Sequence, residues 1–350
     1  MMNKVTLGST GITVDQNAFG ALPVQRRTLD DAVAIIRRAY EGGMRYFDTA
    51  RAYTDSEEKL GVAFKGMRDK VFIATKTQAK TPEKFWEDLE TSLAKLQTDY
   101  IDVHQFHMVE QVWKPGDGTG MYEAMLEAKA QGKIRHIAVT AHKIEVAFDL
   151  VKSGLYEVLQ FPFSYLSGPR EEELVKLCAE RNVGFVAMKA MAGGLITDSR
   201  AAMAFMAEHP TVLPIWGVQR ESELEEFLAF FDGQPKMTPE IQAFIDRERG
   251  ELSGSFCRGC GYCMPYCPNE IMINQAARIG LMLRRAPSDY WLSPAMQAEM
   301  EKAADCTECY SCQPHCPYEL DIPQLLKKNY ADYQDILAGK VEGVQFFQNR

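Results

Sequence analysis

From Ala18 to about residue 231 the chain switches repeatedly between two hydrophobic periods. Short apolar runs that fit strands occur at Ala18–Leu22, Met44–Asp48, Val71–Lys76, Ile101–His107, Ile134–Thr140, Val158–Pro162, Gly184–Lys189 and Val212–Gly217. Between them lie stretches with apolar residues three and four apart, among them Asp30–Tyr40, Pro82–Leu96, Met121–Gln131, Ile144–Lys152 and Arg170–Arg181. Gly42-Gly43 stops the first of these, and Asp55 or Ser56 offers an N-cap to another helix running through Leu60. Eight strands, each followed by helical sequence, predict a closed parallel barrel ahead of an open doubly wound sheet. No GxGxxG turn follows the first strand, which weighs against a dinucleotide-binding sheet. Val5–Val14, with Gly8 and Gly11, reads as a small hairpin before the barrel. The pattern ends with a helix at about Glu221–Phe231. Gly233-Gln234-Pro235 then marks a linker and Thr238–Arg249 a bridging helix, so the expected domains are 1–235 and 236–350.

Composition narrows the partners. The 350 residues are 46% hydrophobic and 25% charged, and 39 basic against 48 acidic residues leave a net charge of −9. That balance argues against nucleic acid or an anionic membrane as a general partner. No apolar run reaches the roughly 18 residues of a spanning helix, and Met1-Met2-Asn3-Lys4 lacks the apolar core of a signal peptide. A cytoplasmic location is the expectation. Eight of the nine cysteines fall between Cys257 and Cys316. In a reducing compartment such clustering points to metal ligation in place of disulfides.

Four polar residues stand at or just beyond the ends of strand runs: Asp48, Tyr53, Lys76 and His107. The C-terminal rim of an α/β barrel is where chemistry is placed. Strand alternation puts His107 on one face with Val103 and Gln105, looking into the mouth, while His104 points the other way, beneath a helix. Lys76 beside Tyr53 would lower the tyrosine pKa, and Asp48 would hold the lysine charged. Tyr53 could then protonate a carbonyl oxygen as hydride reaches the carbon, with His107 orienting that oxygen. The alternative reading of Asp48 and Tyr53 is an ordinary surface loop.

Phe47-Asp48-Thr49-Ala50 with Tyr53, Ala74-Thr75-Lys76-Thr77, and Asp99-Tyr100-Ile101-Asp102 leading to His107 resemble the aldo-keto reductase family. Further likeness runs through Gly132-Lys133-Ile134-Arg135-His136-Ile137 and Gln160-Phe161-Pro162. The resemblance implies a (β/α)8 TIM barrel, an Asp48/Tyr53/Lys76/His107 tetrad, a small-molecule carbonyl or alcohol substrate, and NAD(P)H across the barrel's C-terminal face. It also implies that Thr140 and Gln160 meet the nicotinamide carboxamide and that Gly217, Gln219, Arg220 and Glu226 hold the adenosine end; Lys189, Gly193 and Gly194 could reach the pyrophosphate, with a solvated strand end as the equal alternative for Lys189. The chain departs from the family pattern at several of these places. Met188 stands where a tyrosine usually stacks on nicotinamide, and Ala141 replaces an asparagine beside Thr140. Glu223 occupies the place of a basic 2′-phosphate contact and Phe227 that of an asparagine, which leaves NADH against NADPH open.

Cys257-x2-Cys260-x2-Cys263-x3-Cys267-Pro268 recurs as Cys306-x2-Cys309-x2-Cys312-x3-Cys316-Pro317. This is the bacterial ferredoxin run that binds [4Fe–4S] clusters, in which the fourth cysteine ligates the other cluster. Cys257, Cys260, Cys263 and Cys316 are therefore expected on one cluster, and Cys306, Cys309, Cys312 and Cys267 on the second. Zinc is the alternative, but zinc knuckles rarely carry this spacing. Helical sequence at Gln275–Arg285 and Pro294–Ala304 separates the runs, so a small, mostly helical ferredoxin-like domain is expected. Cys178 reads as packed core.

Nicotinamide releases two electrons as hydride, whereas iron–sulfur clusters pass one at a time, and no flavin signature is present to convert between them. Three readings follow: an NAD(P)H-dependent carbonyl reductase or alcohol dehydrogenase whose clusters are structural or serve a partner; a reductase fed single electrons by a ferredoxin-like partner, without nicotinamide; and a non-catalytic electron-transfer subunit. Aligned tetrad residues count against the last.

Overall fold

The period-two runs do form a closed cylinder. A computed structural model describes residues 2–218, 220–252, 256–259, 261–285, 289–316 and 318–341. An antiparallel hairpin, β1 (Lys4–Thr6) and β2 (Thr13–Asp15), comes first. It is followed by β3 (Ala18–Gly20), β4 (Tyr46–Asp48), β5 (Phe72–Thr77), β6 (Ile101–Phe106), β7 (Ile134–Thr140), β8 (Val158–Pro162), β9 (Gly184–Met188) and β10 (Val212–Gly217). Each of these pairs in parallel with its chain neighbour, and β10 closes onto β3. The helices α1 (Leu29–Glu41), α2 (Ser56–Ala63), α3 (Pro82–Leu96), α4 (Met121–Ala130), α5 (Ile144–Ser153), α6 (Pro169–Glu180) and α7 (Ser199–Ala207) connect the strands, and α8 (Glu221–Ala229) follows the last. Local chemistry sets their starts. The Thr28 and Thr81 hydroxyls accept the N–H groups of Asp31 and Lys84, capping α1 and α3, and Pro82 fills the first turn of α3.

Side-chain alternation fills the cylinder in layers. Val5, Leu7, Ile12 and Val14 of the hairpin pack in one core cluster with the inward-facing Tyr46, Ala74, Val103, Ala138, Val158 and Val186. The hairpin thereby plugs the N-terminal end. Two residues further along the same six strands stand Asp48, Lys76, Gln105, Thr140, Gln160 and Met188. The polar layer thus sits directly above an apolar one. Strand register agrees, aligning Lys76 with Gln105 and Thr140 with Gln160.

The chain divides into two compact units. One comprises the barrel through Ala190 and Ser199–Gln242; the other takes Met191–Asp198 and the chain from Ala243 onward, so the division falls within α9 (Pro239–Leu252). The second unit is built from short helices, α10 (Ile273–Ala276), α11 (Ile279–Arg285) and α12 (Pro294–Glu301), and the longer α13 (Ile322–Leu337). The helical stretch expected over Gln275–Arg285 is broken at Ala277-Arg278, between α10 and α11. Ile271, Ile273, Leu283, Met300, Leu326 and Tyr333 form its core together with Cys257, Cys263 and Cys312. No described helix is long and apolar enough to cross a membrane.

Candidate active site and cysteine hollows

The barrel mouth gathers the four residues that the strand ends suggested. The Lys76 ammonium donates to Asp48 Oδ1 and to the Thr49 carbonyl, both at 2.6 Å, and both side chains are buried. Gln105 Nε2 donates to Asp48 Oδ2 at 3.2 Å and Gln160 Nε2 to Oδ1 at 3.4 Å. Burial pushes the Asp48 carboxyl up, while Lys76 and the two amides pull it back toward the charged form. Tyr53 lies in the β4–α2 loop, its ring centroid 5.2 Å from Lys76 Nζ and 5.9 Å from that of His107, with the two rings at 82°.

The electrostatics differ from the sequence expectation at Tyr53. Lys76 does favour the phenolate, but burial acts more strongly and raises the tyrosine pKa above its ordinary value. Tyr53 therefore keeps its proton at neutral pH, the form needed to protonate an oxygen. His107 falls one residue beyond β6, where its N–H donates to the Thr77 carbonyl at 2.9 Å. Burial and the Lys76 charge push its imidazole down to about 3, so it is neutral. His104 is fully buried and packs its ring 5.6 Å from Phe85 of α3, as the alternation implied.

One mouth residue was not singled out by its position, and a second was open to two readings. Gln105 was legible only as a member of the His107 face, yet it contacts Asp48 directly. His142, whose place after the fifth barrel strand fits either a residue lining the active site or a plain loop histidine, is buried just after β7. Burial first, then the charge of Lys189, hold its imidazole well below the ordinary value. The loop bearing Tyr53 is pinned from below. Ser56 Oγ donates to the Ala21 carbonyl at 2.9 Å, and buried Lys59 Nζ donates to Val24 O at 2.9 Å, Arg27 O at 2.7 Å and Asp55 Oδ1 at 2.9 Å. Buried Glu57 accepts from Thr75 Oγ1 at 2.6 Å and pairs with Arg51. Trp113 is a packing anchor: its ring meets Phe106 edge-on at 4.6 Å, and its carbonyl accepts Tyr156 OH at 2.8 Å.

In the second unit the seven described cysteines sort into two sets. Cys267, Cys306, Cys309 and Cys312 line one hollow, with Ile271, Ile273 and Leu326. Cys257, Cys263 and Cys316 line another, with Leu320, Ile322 and Leu325. Cys260 lies outside the described residues. Burial pushes the Cys312 thiol up to about 11, and Cys267, Cys306 and Cys309 act on it in the same sense, so these four converge. Among the described residues no group of three or more His, Cys, Asp or Glu side chains is placed to hold a single metal ion. Thiols spread around an apolar hollow suit a polynuclear cluster better than one zinc ion, whose ligands must all lie about 2.3 Å from it.

Comparison with known proteins agrees with both halves. The Aldo/keto reductase family profile matches residues 16–211, more than half of the chain. The chain belongs to the aldo/keto reductase family. A second profile, the 4Fe-4S dicluster domain, matches residues 256–321. L-galactose dehydrogenase of Arabidopsis thaliana is 29% identical over 213 residues, covering 55% of this chain and 66% of its own. NADH-specific methylglyoxal reductase of Escherichia coli is 27% identical over 233 residues, covering 57% and 70%. The chain thus spans about two thirds of the length of these curated relatives. Among solved structures, the holo form of an aldo-keto reductase from Bacillus halodurans superposes with a TM-score of 0.62 at 24% identity, over 71% of this chain and 96% of its own. One from Klebsiella pneumoniae in complex with NADPH gives 0.60 at 23% identity, over 71% and 95%.

The remaining residues expected from the aldo/keto reductase resemblance are placed as follows. Thr140 and Gln160 are buried in the Asp48 layer, and Thr140 Oγ1 accepts the Met108 N–H at 2.7 Å. Lys189 follows β9 with a left-handed backbone, φ 56°. Gly193 and Gly194 lie in the unit that carries the cysteines, and a Cβ on Gly193 would stand 3.1 Å from Arg278 Nη1. Gly217 ends β10. Arg220 precedes α8 and its backbone N–H donates to Glu223 Oε2 at 3.1 Å; Glu226 Oε2 accepts Ser199 Oγ at 2.7 Å. Phe227 stacks on Trp216 at 4.4 Å. Gln219 lies outside the described residues.

Proposed function

We propose that the chain interconverts a small-molecule carbonyl and its alcohol at Asp48, Tyr53, Lys76 and His107 using NAD(P)H, and that its two cysteine sets each hold a [4Fe–4S] cluster. The observation that carries this reading is the buried Lys76–Asp48 pair set beside a protonated Tyr53 and a neutral His107. Bound nicotinamide would supply the hydride. Tyr53 gives its proton to the carbonyl oxygen, and the resulting phenolate is stabilised by Lys76, which Asp48 keeps charged and aimed. His107, neutral, donates a hydrogen bond that orients the same oxygen. The reverse sequence oxidises an alcohol, with the phenolate taking the proton.

The adenosine end favours NADH over NADPH. Glu221 and Glu223 occupy the first turn of α8, and Glu223 already caps the Arg220 N–H there. A second phosphate placed at that turn would meet these carboxylates with Arg220 as the one basic side chain among the expected adenosine contacts. Cys257, Cys260, Cys263 and Cys316 would hold one cluster, and Cys267, Cys306, Cys309 and Cys312 the other; the dicluster match supports two clusters, and the hollows lined by the seven described cysteines support this division.

A second reading has one observation in its favour. Gly193 and Gly194, expected at the pyrophosphate, group with the cysteine unit. In that reading a ferredoxin-like partner feeds single electrons through the clusters, no nicotinamide binds, and Tyr53 still supplies the proton. Anaerobically purified protein separates the two. Iron and sulfide analysis counts the clusters, and mixing with NADH and NADPH quenches protein fluorescence under the first reading only.

A further inference from the structure

The backbone around His107 is held more tightly than its ring. The ring Nδ1 is buried and has no hydrogen-bond partner among the described residues, so no bond to that nitrogen fixes the imidazole. Strand β6 pairs with β7 as far as Phe106, which stands opposite Val139. His107 then donates its N–H toward β5, to the Thr77 carbonyl at 2.9 Å. The next N–H, of Met108, turns toward β7 and meets a side chain in place of a backbone carbonyl, the Thr140 hydroxyl at 2.7 Å. The Thr140 carbonyl takes the following N–H, of Val109, at 3.0 Å. Between these bonds Met108 has φ 58°, a left-handed conformation that L side chains such as methionine rarely adopt. Tyr53 is followed in the same way, by Thr54 at φ 43°. Each of the two side chains proposed to meet the carbonyl oxygen thus stands one residue before a left-handed kink. Strain of this kind persists only where surrounding bonds impose it, and it gathers where a side chain must be held in a set direction. After His107 the imposing bonds both end on buried Thr140.

We propose that Thr140 is a positioning residue for His107: its hydroxyl oxygen, by accepting the Met108 N–H, holds the left-handed turn that aims the imidazole into the barrel mouth. The inference rests on the role given to His107 above. It adds a second task to the nicotinamide contact expected of Thr140. The oxygen is occupied as an acceptor, which leaves the hydroxyl proton to be donated elsewhere, so the two tasks are compatible. Removing the hydroxyl strips the Met108 N–H of its partner beside a strained residue, and extended backbone at Met108 then becomes lower in energy. His107, one residue earlier, turns with it and no longer meets the oxygen that Tyr53 protonates.

The full-length, cluster-loaded protein carries the test. Two-dimensional NMR of isotope-labelled histidine reads the rings, with His107→Asn marking the signal that belongs to His107. In Thr140→Val, which keeps the shape and loses the acceptor, that signal should move, and Thr140→Ser should bring it back. Met108→Gly added to Thr140→Val should also restore it, because glycine adopts a positive φ without the hydroxyl's help. This arm needs no turnover, so it decides the geometry whichever carbonyl the protein prefers. Reduction of methylglyoxal at saturating NADH follows the ring. The kcat of Thr140→Val should fall about fivefold, the worth of one hydrogen bond, and most of the loss should return in the double variant. That return separates positioning from the nicotinamide contact, since the double variant still lacks the hydroxyl. An unmoved His107 signal in Thr140→Val, or a slow single variant that Met108→Gly does not rescue, would overturn the proposal. If His107→Asn reduces methylglyoxal as fast as the unaltered protein, the role given to His107 fails and the positioning with it. A slow His107→Asn beside a full-rate Thr140→Val removes the positioning alone.

Discussion

The barrel and the cysteine unit prepare their chemistry in opposite ways. At the barrel mouth the reactive groups are held by the scaffold itself. Asp48 and Lys76 rise from adjacent strands whose backbone pairing fixes their separation, and amides from two further strands complete the Asp48 carboxylate. The cysteine unit has short helices, many single turns and a core in which the thiols are themselves packing groups. One region can stand ready without its cofactor; the other is built around it. The lesson is that burying a charge pair and leaving a hollow for a cluster are alternative routes to a preorganised site, with different vulnerabilities.

Removing iron should show the contrast at its largest. Chelation under denaturing-free conditions should make the chain beyond Ala243 readily cleaved by protease, because cluster binding contributes the unit's folding energy. The fragment ending near Gln242 should survive, and mass spectrometry of the products reads the outcome. Comparable cleavage of both units would show that they are not independently held. Next in size is Lys76→Met. It leaves Asp48 buried without its cation, so a loss of about 3–5 kcal/mol in urea unfolding is expected, together with loss of carbonyl reduction. A variant of unchanged stability would mean the pair is not buried as described.

Acid should act in the same direction on stability. His104 and His107 have folded pKa values lowered to about 4 and about 3 from 6.5. Between those values and 6.5 the unfolded chain binds more protons than the folded one. Their contribution is therefore complete above about pH 6.5 and is lost as pH falls toward 4 and 3. Urea midpoints measured from pH 7 down to pH 4 should decline, and His104→Phe should reduce the slope. The smallest effect is expected at the adenosine end, where titration by fluorescence should give tighter binding of NADH than NADPH, and Glu223→Arg should narrow the difference.

Much of the barrel was legible because its signals are periodic. Alternation alone placed His107 and Gln105 on one face and His104 on the other, and strand ends located Asp48 and Lys76. Burial was harder to read. The rise in the Tyr53 pKa comes from the atoms around it, which lie far apart in sequence, so the simple pairing with Lys76 had the opposite sign. Gln105 was hidden because glutamine on a strand carries no motif, and Lys59 because its partners are backbone carbonyls of another loop. The proposed ligand sets were read from the cysteine spacing, and the described cysteines line two hollows in the same division.

Single-turnover mixing of Tyr53→Phe with NADH and a carbonyl substrate addresses the proposed chemistry most directly. The account predicts that nucleotide still quenches protein fluorescence with little change in affinity, while hydride transfer falls by about 10²–10⁴, the usual contribution of a positioned general acid. Transfer at the unaltered rate would contradict it.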